Sequence, residues 1–137
     1  MKSYLTLIPI AMALLSGCQA TINHKMQTTF DETKAKKIFE AGSNTITGNA
    51  FIRQSGGGVV TCAGSEISLN ASQPFTDERI QVLYGNNEYG ARSINGPGLT
   101  FEPQAPAGYI LNSKKTLCDS SGRFKFSNIP DGTYYLT

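Results

Sequence analysis

Residues 119–136 constrain the fold more than any other part of the chain, because apolar and polar side chains alternate along them. Phe124 and Phe126 fall on one side of an extended backbone. Arg123 and Lys125 fall on the other side. Glycine-containing turn sequences stand before this run and within it. We therefore predict two strands that pair as a hairpin, with one aromatic face turned towards a core.

The composition favours the same β-rich class. Only 16% of the 137 residues are charged and 14 are glycine, whereas a helical bundle normally carries more charge and fewer glycines. Two runs further upstream, residues 45–53 and 59–72, also have the alternation and β-branched content of strands. We predict one mainly β domain over residues 43–137, because the chain is too short for two domains.

The C-terminal run also resembles a family signature, D-x-x-G-x-F-x-F-x-x-I-P-x-G-x-Y-x-L. The positions that carry it are Asp119, Gly122, Phe124, Phe126, Ile129, Pro130, Gly132, Tyr134 and Leu136. This pattern is similar to that of the carboxypeptidase regulatory-like domains, which share a prealbumin-like (transthyretin-like) sandwich. The resemblance implies a small Greek-key β-sandwich, and it implies no particular activity.

The same resemblance bears on the C-terminal end of the sequence. Members of that family usually have one or two further strands after this hairpin. We therefore expect either that the sequence is truncated at its C-terminus or that a partner closes an exposed edge strand.

Residues 73–116 are harder to interpret. The run from Arg79 to Tyr84 predicts either a strand or a short helix. Aromatic residues are spread over glycine-, proline- and asparagine-rich segments, at Tyr84, Tyr89, Phe101 and Tyr109. They could form a platform on which a sugar or a peptide stacks. The alternative is that they anchor loops over a small core.

The first seventeen residues predict a secretory leader, with Lys2 followed by an apolar run over residues 4–15. This run is too short for a membrane-spanning helix. The next residues, Leu15-Ser16-Gly17-Cys18, resemble the lipobox of bacterial lipoprotein precursors. The resemblance implies that Cys18 is acylated (diacylglycerol with an amide-linked chain such as palmitate), becomes the first residue and anchors the protein in a membrane. Gln19, in place of Asp, favours the outer membrane of the cell envelope.

Between this anchor and the sandwich we predict two segments. Residues 18–28 are polar and lack periodicity, which predicts a lipidated flexible tether with His24 as a solvated residue. Residues 29–42 predict one short helix, with a capping box that begins at Thr29 and a stop at Gly42. Its apolar stripe consists of Ala35, Ile38 and Phe39.

The three cysteines divide into one anchor and one pair. If Cys18 carries lipid, Cys62 and Cys118 are the remaining thiols in an oxidising compartment. We predict a disulfide between them, and the alternative is two separate buried cysteines that act as small apolar residues.

The charge balance and the histidine count exclude several functions. Twelve basic against ten acidic side chains give +2, too balanced for a nucleic-acid-binding surface. One His and three Cys argue against a metal site and against histidine-dependent catalysis. Gly56–58 is a turn and not a phosphate loop, because no G-K-S/T sequence follows it. We predict no catalytic residue and no cofactor.

Two functions remain open, and neither is enzymatic. The first is a binding or structural module that the membrane anchor presents to an envelope protein partner. The alternative is a carrier or inhibitor that binds a small molecule, a sugar or a peptide with the aromatic loops. The sequence assigns no ligand-binding residue.

Overall fold

The computed structural model describes residues 20–93 and 95–137. In this part of the chain there are nine strands: β1 (Thr21–Lys25), β2 (Asn44–Asn49), β3 (Phe51–Arg53), β4 (Val59–Thr61), β5 (Glu66–Ala71), β6 (Gly98–Glu102), β7 (Lys114–Leu117), β8 (Arg123–Ile129) and β9 (Tyr134–Leu136). The helices are α1 (Glu32–Lys36), α2 (Pro74–Tyr84) and α3 (Ala107–Leu111), and a 3₁₀ turn covers Lys37–Phe39. The mainly β class is confirmed. Across the described ranges, no helix has both the length and the apolar character needed to cross a bilayer.

A small sandwich forms between two antiparallel sheets. β2 pairs with β8 in one sheet, and β5 lies between β7 and β9 in the other. Ile38, Leu69, Phe126 and Ile129 form the buried core between them. The predicted sandwich is therefore confirmed, with Leu69 of the central strand fully buried.

The two phenylalanines of β8 do point to the same side. Phe126 is a core residue, 4% exposed. Phe124 is half-buried at the margin of the core, where its ring covers Gly48 of the neighbouring strand. A Cβ atom at position 48 would lie 2.3 Å from Cζ of that ring, so the glycine makes room for it.

The predicted hairpin between β8 and β9 is wrong. β8 pairs with β2, whereas β9 pairs with β5, so residues 130–132 carry the chain from one sheet to the other. The hydroxyl of Tyr134 donates to the carbonyl oxygen of Pro130 at 2.9 Å, and this hydrogen bond stabilises the connection between the two sheets. Alternation specifies which side chains are buried, but it does not choose the partner strand. Within the described residues β9 lies at the edge of its sheet.

The predicted disulfide is confirmed. Cys62 and Cys118 are bonded, with their Cα atoms 5.7 Å apart. Cys62 follows β4 and Cys118 follows β7, so the bond ties the β3–β4 hairpin to the three-stranded sheet.

The first helix is shorter than predicted. It begins after Asp31, whose Oδ1 accepts from the backbone N–H of Lys34 at 2.9 Å, so Asp31 and not Thr29 is the N-cap. Gly42 does not end the helix; a Cβ atom there would lie 2.1 Å from the carbonyl carbon of Ile129, so it permits close backbone packing. Ala35 and Ile38 are buried as predicted, whereas Phe39 is exposed.

The prediction of a flexible tether over residues 18–28 is wrong from Thr21 onwards. Thr21–Lys25 form β1, which pairs in parallel with β6. This strand could not be predicted from the sequence, because its partner lies far along the chain and because its mostly exposed side chains give no alternation of apolar and polar residues. Residues 1–19, with the predicted leader and Cys18, lie outside the described residues.

Of the two interpretations of Arg79–Tyr84, the helix is right. α2 begins with Pro74 at its first turn and ends at Gly85, which has φ +80°. These two residues are standard helix boundary signals that the sequence interpretation did not use.

Candidate functional site

Three tyrosines line one small cleft at the side of the sandwich. The cleft has a volume of about 180 Å³. It is lined by Ile80, Tyr84, Asn87, Glu88, Tyr89, Gly90, Tyr135, Leu136 and Thr137, and we call it the tyrosine cleft. Its volume is below the roughly 300–1,000 Å³ of pockets for drug-sized ligands, so it suits one ring-sized group.

The loop after α2 positions two of the tyrosines. Gly85 ends the helix directly after Tyr84, and Asn86 then caps the loop: its Oδ1 accepts from the backbone N–H groups of Glu88 and Tyr89, both at 2.9 Å. This turn leaves Tyr89 80% exposed at the rim. At Gly90 a Cβ atom would lie 2.4 Å from Cβ of Tyr84, so only glycine lets the loop return against that side chain.

The third tyrosine comes from the edge strand. Tyr135 lies on β9, and its hydroxyl donates to Oδ1 of Asp77 on α2 at 2.9 Å. The same oxygen accepts from Oγ of Ser72 at 2.8 Å. Burial raises the pKa of Tyr135, and the adjacent Asp77 carboxylate raises it further. The phenol therefore stays protonated at neutral pH, and its hydrogen bond fixes the ring against α2.

The cleft combines aromatic faces with hydrogen-bonding groups. Aromatic rings offer flat apolar surfaces, and a sugar ring has a face of C–H groups that can lie on them. The Asn87 amide can both donate and accept hydrogen bonds, and the Glu88 carboxylate accepts them. Such a set suits a neutral ligand that is rich in hydroxyl groups.

The four aromatic residues of the predicted platform do not lie together in the structure. Tyr84 and Tyr89 lie in the tyrosine cleft, whereas Phe101 and Tyr109 lie elsewhere. Tyr135 was missed because it lies on a predicted strand about 50 residues beyond the loop that it faces. The available signal was that Tyr134 and Tyr135 are adjacent, so one of them must point away from the core.

Phe101 on β6 and Tyr109 on α3 pack around Arg79, so they lie on regular elements and not on the loops that the alternative supposes. The guanidinium carbon of Arg79 lies 4.0 Å from the ring centroid of Phe101 and 5.1 Å from that of Tyr109. Phe75 is a third aromatic neighbour, at 5.7 Å. Nε and Nη1 of this arginine are buried and lack a hydrogen-bond partner among the described residues. Burial also raises the pKa of Tyr109.

His24 is not the solvated tether residue that the sequence predicts. Its Nε2 lies 2.8 Å from Oε1 of Glu78 on α2. The same carboxylate accepts from the backbone N–H groups of Gln27 at 2.8 Å and Thr28 at 2.9 Å. Burial would raise the pKa of Glu78, but hydrogen bonds from the Thr28 hydroxyl, the His24 ring and these two backbone N–H groups outweigh it and lower the pKa to about 2. In the two described stretches, no three His, Cys, Asp or Glu side chains are placed to hold a metal ion.

A wider and shallower groove runs between β7 and β8. Its walls include Gly48, Leu117, Arg123 and Phe124. The acidic side chain beside the groove is that of Asp119. Its Oδ1 accepts hydrogen bonds from the backbone N–H groups of Ser121 and Arg123. The groove has a volume of about 610 Å³, and Thr47, Thr116 and Lys125 also line it. Its one aromatic residue is Phe124, whereas three tyrosines line the smaller cleft.

Comparison with known proteins shows the fold alone. Neither a family model nor a characterised protein matches this chain. The crystal structure of a "putative carbohydrate binding protein" from Pseudomonas aeruginosa is similar, with a TM-score of 0.57, 20% sequence identity and coverage of 80% of this chain and 72% of that one. At this identity the similarity shows a shared fold. The resemblance to the carboxypeptidase regulatory-like domains stays a prediction.

Proposed function

We propose that this chain is an envelope lipoprotein, anchored through Cys18 in the outer membrane, whose sandwich binds carbohydrate in the tyrosine cleft. The observation that carries the proposal is the convergence of Tyr84, Tyr89 and Tyr135. They come from a helix end, a loop and an edge strand, and a structural core alone does not require them to meet at the surface.

The lining of the cleft favours a sugar over the other ligands that the sequence leaves open. Lys and Arg are absent from its described lining, which argues against an acidic peptide or a phosphorylated ligand. Glu88 favours ligands that donate hydrogen bonds, as hydroxyl groups do. The carbohydrate-binding description of the Pseudomonas protein, which shares the fold, supports the same ligand class.

The expected affinity is low. Two ring contacts and two hydrogen bonds, each contributing about 1 kcal/mol, give a Kd on the order of 1 mM for one sugar unit. Affinity of this size is useful when the protein is concentrated on a membrane and the ligand is a repeating polymer, because several sites then bind together.

The test is binding to a glycan array, followed by titration calorimetry with the best oligosaccharide. Tyr89→Ala should weaken binding about fivefold, because an exposed ring that contributes about 1 kcal/mol is lost without a change in the core. Tyr89→Phe should bind nearly as well as the parent protein. Leu117→Ala, in the groove between β7 and β8, is the matched control and should bind normally. Equal binding by Tyr89→Ala and the parent protein would contradict the proposal.

A protein partner is the second candidate. Within the described residues, β9 has a neighbouring strand on one side only, and an extended segment of another protein can add to such an edge. Binding of that kind uses backbone groups, so Tyr89→Ala should leave it unchanged. An envelope protein that associates equally with the parent and with Tyr89→Ala favours this second candidate.

A further inference from the structure

The first strand, β1, begins almost immediately after the proposed lipid anchor. The carbonyl oxygen of Ala20 accepts from the backbone N–H of Gly98 at 3.1 Å, and Thr21 is the first residue of β1. Cys18 is therefore two residues from the first hydrogen-bonded residue of the domain. Two residues of extended chain span at most about 7 Å. An eleven-residue tether, in contrast, would reach roughly 35 Å.

A basic side chain is held at the same end of the β1–β6 pair. Arg92 is exposed, and its Nη2 donates to the carbonyl oxygen of Pro97, the residue before Gly98. An arginine side chain has five N–H donors in a planar fork, a geometry that matches the oxygens of a phosphate group. The hydrogen bond to Pro97 holds the guanidinium close to Ala20 and leaves other donors for a second acceptor.

We propose that this end of the β1–β6 pair rests directly on the membrane surface, with Arg92 in contact with lipid phosphate groups. The inference rests on the proposed anchoring at Cys18. An acyl chain attached there lies in the bilayer, so the two-residue connection places Ala20 within about 10 Å of the headgroup layer. The domain therefore has a defined orientation on the membrane and does not move freely at the end of a flexible tether.

The test uses tryptophan as a unique probe, because the chain contains none. Ala91→Trp places it at an exposed position next to Arg92. Gln104→Trp is the matched control, also exposed, beyond the far end of β6, a strand about 13 Å long. The processed lipoprotein is reconstituted in phosphatidylcholine and phosphatidylglycerol vesicles whose lipids carry a headgroup spin label. We expect most of the Ala91→Trp fluorescence to be quenched and little of the Gln104→Trp fluorescence.

A spacer tests whether the short connection is the cause. Ten Gly and Ser residues inserted between Gln19 and Ala20 should restore most of the Ala91→Trp fluorescence while the protein still floats with the vesicles. Equal quenching at positions 91 and 104, or quenching that the spacer does not change, would overturn the inference and leave the anchoring proposal intact. A protein that does not float with the vesicles would instead contradict anchoring at Cys18, and this inference with it.

Discussion

Glu78 connects the N-terminal segment to α2. One carboxylate serves the His24 ring and the two backbone N–H groups of Gln27 and Thr28. Hydrogen bonds to a charged group contribute about 1.5–3 kcal/mol, so this carboxylate matters more for stability than its position near the surface suggests. All of these partners lie 50 or more positions from Glu78 in the sequence.

This contact predicts a pH dependence of stability. The pKa of Glu78 is lowered in the folded protein from 4.5 to about 2. The carboxylate therefore contributes stability that is present above pH 4.5 and is lost as the pH falls towards 2. Glu78→Gln should lower the free energy of unfolding by about 1–3 kcal/mol at pH 7, and the difference from the parent should shrink below pH 4.5. Urea denaturation at several pH values measures it. A difference that stays constant down to pH 3 would show that the charge of Glu78 is not the cause.

At the scale of the elements, β8 and β9 mark the limit of what the sequence can predict. Alternation correctly identified both strands and the inward side of Phe124 and Phe126, because burial on one face imposes a period of two. It gave the wrong pairing, since a turn at residues 130–132 is compatible with a hairpin and also with a crossing between sheets. The partner strands, β2 and β5, are specified only by packing of the whole core.

The position of β8 predicts unequal roles for its two aromatic residues. Phe126→Ala should lower the free energy of unfolding by about 3–5 kcal/mol, because the side chain is buried on the core. Phe124→Ala should cost less, about 1–3 kcal/mol, because its ring lies at the margin and retains solvent contact. Chemical denaturation of the two variants decides between this order and its reverse. A larger loss for Phe124→Ala would mean that the register of β8 is wrong.

At the scale of the whole molecule, the cleft and the N-terminal strand depend on contacts between distant parts of the chain. The tyrosine cleft joins residues 80–90 to residues 135–137, and β1 joins residues 21–25 to residues 98–102. Local patterns cannot show such pairs. The disulfide could be predicted from chemistry, because once Cys18 is assigned to lipid only one pairing of the remaining thiols exists.

Membrane attachment is the prediction at this scale. Cys18→Ser should block processing of the leader and remove the protein from the membrane fraction, because serine cannot form the thioether that holds the diacylglycerol. Fractionation of cells with mass measurement of the N-terminus checks both effects, and Ser16→Ala is a control that keeps a small residue before the cleavage site. A Cys18→Ser protein with a normal mature N-terminus and unchanged partitioning would rule out lipid attachment at this residue.

The pairing of β1 with β6 also sets an order of events during export. If the chain is exported as proposed, its N-terminus crosses the membrane first, and β1 has no partner strand until the chain has crossed as far as residue 102. During that interval we expect the bond between Gly17 and Cys18, the proposed cleavage site, to be accessible to a peptidase. Once β6 arrives, the same bond lies three residues from a formed strand. We therefore expect cleavage before Cys18 to precede the pairing of β1 with β6, and a pulse-chase experiment should find cleaved chains before protease-resistant ones.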